Sequence, residues 1–596
     1  MAVTLGLGRK FLRLATVLVL PSFVTLAASA ATAPGFVPGS PNVAVADPAV
    51  PRPPGRSCVV PLFNGFQFTD FSNHPYTYAP PTGCGRAWSK VVLEADFSVT
   101  AGRQFDRTAS LWLGGANIYF GTTQEPSATV APSWHIERDV SDFASLLANP
   151  QSGQAILGNI VDSTYTGVIS GSARLVFYPA NILAPKVDAP DAVFPLSDGT
   201  AGGPVTLNTG TDTLSRTFTL PTNVERAYLD VFAQGQGGDE FWYSCVPDDL
   251  ADELQSCGGG AFRETQVSID GQAAGVAPVY PWIFTGGIDP YMWRPTPGVQ
   301  TLNFLPYRVD LTPFAALLND GSPHTVTITV TGANGYFAVT GNLFVYQDHG
   351  KKKLTGALTA NTLQGQTPAA TVGNTVTDAN GTTAGKVTTS ASRTFHTAGY
   401  VDTSHGRIST DVAQTVAFTN AQDFTIDATQ YVQAIDQRAT VASTTKTRVG
   451  ALGIGTTNVV NYDFPLSARF AYAFDADGNI VSSPSHVTQG FSRHFTKKLG
   501  ALTLYRSDVD NHIDTGDTLA FTGGAVTGHT GQASTQSFRF SDNLGSCYGR
   551  DIVTTTGTLT SATDGGGCSH GRNQLLWFTH PDGSPDTSRT EDPGSF

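Results

Sequence analysis

An aspartate followed by an arginine at the mouth of an alternating apolar run is the first arrangement in this chain suited to acid-base chemistry: Gly102-Arg103-Gln104-Phe105-Asp106-Arg107-Thr108-Ala109-Ser110-Leu111-Trp112-Leu113. A carboxylate beside a guanidinium at a strand end can stay ionised while it faces a concave, half-dry site. The same spacing also fits a surface ion pair capping an edge strand, so the surroundings of Asp106 decide. Downstream, Gly238-Asp239-Glu240-Phe241-Trp242-Tyr243-Ser244-Cys245 joins two carboxylates, three aromatic rings and a cysteine. The rings offer flat apolar faces to a sugar, and burial beside them raises a carboxyl pKa. A core strand with polar ends is the alternative. Phe262-Arg263-Glu264 adds Glu264 as a further carboxylate, though it also fits an ordinary charged strand residue. The run from Gly286 to Pro295 reads as a binding loop, in which glycine permits close approach and Tyr291 and Trp293 supply stacking surface, or as an aromatic plug over a core. Glu125-Pro126 and Trp134-His135 carry the same ambiguity.

These residues need a scaffold, and composition points to strands. The chain has 596 residues, of which 40% are hydrophobic and only 14% charged, with many Gly, Thr, Ser, Val and aromatic residues. That length calls for two or three domains, and the balance favours an all-β architecture. A net charge of -13 disfavours nucleic acid or an anionic membrane as partner. Arg9, Lys10 and Arg13 precede an apolar run from Leu14 to Leu26 and a set of small residues, which predicts a signal peptide over residues 1–30. No later segment approaches the ~18 apolar residues of a membrane span, so a soluble, secreted or periplasmic protein is expected.

Residues 31–57 are rich in Pro, Ala and Val and read as a linker. A first β-rich unit is expected over 58–185, with Val91, Leu93, Ala95 and Phe97 in alternation and a helix-like break at 142–147. A second is expected over 186–350, with strands at 226–232, 265–269, 308–311 and 325–330 and a hairpin turn at Asp270-Gly271. Two units of many short strands favour paired sandwiches. Residues 351–391, opened by Lys351-Lys352-Lys353, read as a linker and boundary, and 392–596 as a separate C-terminal β-rich domain with a turn at Asp477-Gly478.

Six cysteines fall in three local couples, Cys58 with Cys84, Cys245 with Cys257 and Cys547 with Cys568, and nearest-neighbour disulfides are the expected pairing. No CxxC spacing suggests zinc. Asp508, Asp510, Asn511, Asp514 and Asp517 form an acidic loop on this reading, but His512 and Ile513 break the calcium-loop template, and no metal is expected.

Taken in order, Gln104-Phe105-Asp106-Arg107, Glu125-Pro126, Asp139-Val140-Ser141-Asp142-Phe143, Asp239-Glu240-Phe241-Trp242-Tyr243, Phe262-Arg263-Glu264, Thr285-Gly286-Gly287 and Trp293-Arg294-Pro295 resemble the peptide-N-glycosidase A family of glycoamidases across about residues 58 to 350. A more distant likeness is to peptide-N-glycosidase F. The resemblance implies two adjacent jelly rolls with the site at their interface, followed here by the C-terminal β-rich domain. It carries the principal catalytic carboxylate to Asp106, its neighbouring arginine to Arg107, a second site arginine to Arg308 and the second-domain glutamate to Glu240, with Glu264 as competitor. A third carboxylate of that enzyme aligns near Asn159, which removes it. Asp239, Phe241, Trp242, Trp282, Tyr291 and Trp293 become candidates for contact with sugar. The implied reaction is hydrolysis of the amide between asparagine and the first N-acetylglucosamine of an N-glycosylated peptide or protein, without metal or organic cofactor. A secreted β-sandwich that binds glycans without cutting them is the alternative, as is a glycosidase that cuts between the first two sugars.

Overall fold

The computed structural model describes residues 36–450 and 454–586, and the expected signal peptide lies outside them. The first β-unit consists of two antiparallel sheets. Cys58–Phe68, Ile169–Pro179, Trp88–Val99 and Ser133–Asp139 form one, in that spatial order, and His74–Tyr78, Gln151–Ile156, Thr108–Leu113 and Ala116–Thr122 form the other. Period-two alternation turns Leu93, Ala95, Phe97 and Leu175 of the one sheet and Tyr76, Leu111 and Ala155 of the other into a common core. The helix-like break is real: a turn of 3-10 helix at Ser141–Phe143 runs into Ala144–Leu147.

The second unit repeats the plan. Val205–Leu207, Tyr336–Gln347, Val224–Gln236 and Tyr307–Asp310 make one sheet, with Ala192–Leu196 also paired to Tyr336–Gln347. Leu214–Thr219, Pro323–Thr331, Glu264–Ile269 and Gln272–Pro278 make the other. Its hairpin turn stands where predicted, with φ of 51° at Asp270 and 79° at Gly271.

The remainder differs most from expectation. Among the described residues it is one 12-stranded antiparallel sheet, starting at Gly356–Asn361 and ending at Thr558–Asp564, whose central strands follow one another from Thr382–Thr403 to Ala525–Asp542. Each central strand has 18 to 22 residues, several times the usual strand length. The expected linker at 351–391 is largely strand, because its Thr-rich alternation pairs Thr371–Asn374 and Thr377–Ala379 with Thr382–Thr403. Nor is the sheet separate: Phe395, Phe418, Phe464, Phe491 and Phe538 on its inner face share a core with Trp242, Tyr280, Trp282 and Trp293 of the second unit. The acidic loop at 508–517 is strand as well, within Leu502–Thr522, so its even-numbered aspartates and its odd-numbered Asn511 and Asp517 face opposite ways.

Residues 36–57 are also more than a linker. They form an ordered strap that buries Ala44, Ala46 and Val50, with the Ala46 amide donating to Gln536 Oε1 at 2.8 Å and the Val50 amide to Glu137 Oε2 at 2.7 Å. All three expected disulfides are formed. Among the described residues no helix is long and apolar enough to cross a membrane.

Candidate active site

Asp106 stands just before the strand Thr108–Leu113, and Arg107 fixes that entry: its amide donates to Thr123 Oγ1 at 2.8 Å and its carbonyl accepts from Thr123 N at 2.9 Å. The Arg107 guanidinium is held by neutral groups, Nε to Asn159 Oδ1 at 3.2 Å and Nη2 to Gln104 Oε1 at 2.9 Å. Its charge is therefore not consumed by a structural carboxylate and acts on Asp106. Asn159 thus has its own task, with its Nδ2 donating to Phe68 O at 3.0 Å.

The second unit meets this corner through the loop 285–287. Thr285 Oγ1 donates to Thr123 O at 2.8 Å and accepts from Glu125 N at 2.9 Å, and the Gly286 amide donates to Asp106 Oδ2 at 2.9 Å. Gly286 is there for space: a Cβ would collide with Glu125 Oε2 and stand 3.1 Å from Asp106 Oδ1. Two carboxylates therefore converge on one glycine. Arg294 Nη2 binds Glu125 Oε1 at 3.1 Å and Pro126 O at 2.6 Å, so a second arginine stands beside Glu125.

Glu240 follows the short helix Gly237–Asp239 at the end of the strand Val224–Gln236. Asp239 anchors this turn: it is wholly buried, its Oδ1 takes Arg263 Nη2 at 2.7 Å, and its Oδ2 takes the amides of Asn334 and Gly335 at 2.8 and 2.7 Å. It has no surface left for a ligand. Gln236 Nε2 donates to Thr108 Oγ1 at 2.7 Å, tying the Glu240 turn to the strand that follows Asp106.

The electrostatics follow from this crowding. Burial raises the Asp106 carboxyl, opposed by the Gly286 amide and by Arg107. Burial and then the Asp106 charge push Glu240 up to about 7. Glu125 is pushed up to about 8, by burial first and also by Asp106, against Arg294. The site thus pairs a carboxylate that an amide and a guanidinium favour as an anion with two acids that hold protons near neutrality, a combination fit for proton transfer.

Of the residues expected here, the structure gathers Asp106, Arg107 and Glu240, with half-buried Phe241, whose Cε1 lies 3.4 Å from where a Gly287 Cβ would stand. Arg308 is elsewhere. It faces Asp230 across the strand pair and binds Asp230 Oδ1 at 2.6 Å and Asp142 Oδ2 at 2.9 Å, so cross-strand register accounts for its place. Glu264 is bound to Arg393 of the large sheet. Trp242 packs on Phe418, Trp282 lies 4.3 Å from Phe304 between ring centroids, and Trp293 is wholly buried, with its Nε1 donating to Gly287 O at 2.8 Å. These three are framework. Tyr291 stacks on His529.

Glu125, ambiguous from the sequence, and Arg294 and Phe105, not singled out there, stand near Asp106 or beside it in the chain. Glu125 and Arg294 stand in the motifs Glu125-Pro126 and Trp293-Arg294-Pro295, but only the tertiary approach of the 285–287 loop brings them to Asp106. Phe105, 45% exposed and adjacent in sequence to Asp106, offers the open ring that the buried tryptophans cannot. A cavity of about 950 Å3 lies away from this site, between the strap and the strand Ser133–Asp139.

Fold and site define an all-β chain whose carboxylates meet where two sheet pairs dock. Residues 51–364 match the family model described as peptide N-acetyl-beta-D-glucosaminyl asparaginase amidase A, and the chain belongs to that family. It is 33% identical over 368 residues to peptide-N4-(N-acetyl-beta-glucosaminyl)asparagine amidase A of Prunus dulcis, a match spanning 58% of this chain and 62% of that relative. Among solved structures, PNGase F, a glycosylasparaginase from Flavobacterium meningosepticum, is 16% identical and aligns over 49% of this chain and 96% of its own with a TM-score of 0.35. PNGF-II is 14% identical over 49% of this chain and 66% of its own, with a TM-score of 0.34.

Proposed function

We propose that this protein hydrolyses the amide between an asparagine side chain and the first N-acetylglucosamine of an N-glycosylated peptide or protein. Water adds to the amide carbon, the carbon–nitrogen bond breaks, the nitrogen takes up a proton and leaves as the glycosylamine, and the peptide keeps an aspartate. Such an amide is resonance-stabilised and needs both an activated water and a proton for the departing nitrogen. Asp106, favoured as an anion by Gly286 and Arg107, is the base that draws the proton from water. Glu240, which holds its proton up to about 7, donates to the nitrogen. Arg107 balances the negative charge that develops. Phe105 and Phe241 give the sugar a rim of rings.

The observation that carries this reading is the convergence of Asp106 and Glu125 on Gly286, with the Asp106 charge reaching Glu240. Family membership supports it. Three disulfides and the signal-like N-terminus favour action in an oxidising, extracytoplasmic compartment. The test is incubation of wild type, Asp106→Ala and Glu240→Ala with an N-glycopeptide: release of the whole glycan by wild type and its loss in both folded variants is the expected result, and full activity in either variant would sink the assignment.

A further inference from the structure

The large sheet runs on beyond residue 364, outside the family match, yet its inner face holds both loops of the site. Buried polar side chains on it bond to main-chain carbonyls of those loops. Just after Glu240, Asn420 Nδ2 reaches Tyr243 O at 2.8 Å, Gln433 Nε2 reaches Ser244 O at 2.8 Å and Gln422 Nε2 reaches Cys245 O at 3.0 Å. On the other loop, Thr515 Oγ1 and Ser534 Oγ both donate to Met292 O, at 2.9 and 3.0 Å.

The most unusual contact lies at Asp289, on the Gly286 loop. Asp289 is wholly buried and its Oδ1 accepts from Tyr291 N at 2.9 Å, and Asp517, on the strand Leu502–Thr522, is buried as well. His529 Nδ1 stands 3.1 Å from Asp517 Oδ2, and the His529 ring stacks on Tyr291 with centroids 3.8 Å apart. Arg294, over the Tyr291 ring at 5.2 Å, also faces Asp289. Burial above all, and then Asp517, raise Asp289 to about 7, against the Tyr291 amide and His529.

We infer that the large sheet is the template that positions the loops of the site, and that Asp517 is its positioning residue: through His529, which stacks on Tyr291, it fixes the loop whose Gly286 amide holds Asp106. The inference rests on the reading of Asp106 as the catalytic base, and its test is separable from that reading. In Asp517→Ala, amide hydrogen exchange across residues 285–294 is expected to accelerate roughly tenfold or more while exchange in the strand Trp88–Val99 stays as in wild type. On a glycopeptide, kcat falls by a similar factor with KM nearly constant. Asp517→Asn, which keeps an oxygen for His529 Nδ1, restores both. Unchanged exchange in 285–294 overturns the inference even if kcat falls, and so does a failure of Asp517→Asn to restore either property. Should Asp517→Ala not fold, Thr515→Val takes its place: faster exchange in the same residues supports the inference, and none overturns it. If wild type releases no glycan, the proposed function fails, and the exchange result still decides the positioning role.

Discussion

The amide of Gly286 binds Asp106 Oδ2 at 2.9 Å, and the two residues belong to different sheet pairs. The site therefore exists only where the pairs dock, and the contact leaves no room for a side chain at 286.

Asp106→Asn keeps the shape and an acceptor for the Gly286 amide but removes the base. A fall in kcat/KM of roughly 10²- to 10⁴-fold is expected, with little change in Tm. Glycan release and thermal unfolding on the same preparation check both halves.

Gly286→Ala places a methyl group against Glu125 and Asp106. Overpacking of this kind costs about 1–3 kcal/mol, and displacing the 286 amide removes its bond to Asp106, so activity falls as well. Urea unfolding measures the first effect and glycan release the second; a variant with wild-type activity contradicts the close approach.

How much of this was legible in the sequence depends on distance along the chain. Asp106 and Arg107 are adjacent, and Glu240 sits among rings beside a disulfide, so local chemistry marked them. Glu125 and Arg294 carry only an ambiguous local signal, because their position depends on Thr285 reaching Thr123. Arg308 stands with Asp230, a cross-strand partner that is invisible without register. The all-β class followed from composition and alternation, as did the Asp270-Gly271 turn. The long strands did not, because expectation favours short ones and the Thr-rich alternation at 351–391 resembles linker.

Glu240 holds its proton up to about 7, so a reaction that needs that proton slows as pH rises through about 7. A kcat/KM profile of wild type should fall on that side, and Glu240→Gln, which has no proton to give, should show low activity without that limb. A wild-type profile flat through the same range argues against Glu240 as the donor.

Glu125 gives a stability effect of opposite origin to a salt bridge. Its folded pKa of about 8 exceeds the ordinary 4.5, so the unfolded chain loses the proton first. Its contribution is fully present below about 4.5 and is lost as pH rises through about 8. Denaturant midpoints across that window should decline in wild type and decline less in Glu125→Gln.

The most direct test of the central claim is the mass of the peptide left after an N-glycopeptide is incubated with the protein. The expected product is the bare peptide with aspartate in place of asparagine, formed by wild type and not by folded Asp106→Ala. An intact glycopeptide, or a peptide whose asparagine keeps one sugar, contradicts the glycoamidase reading.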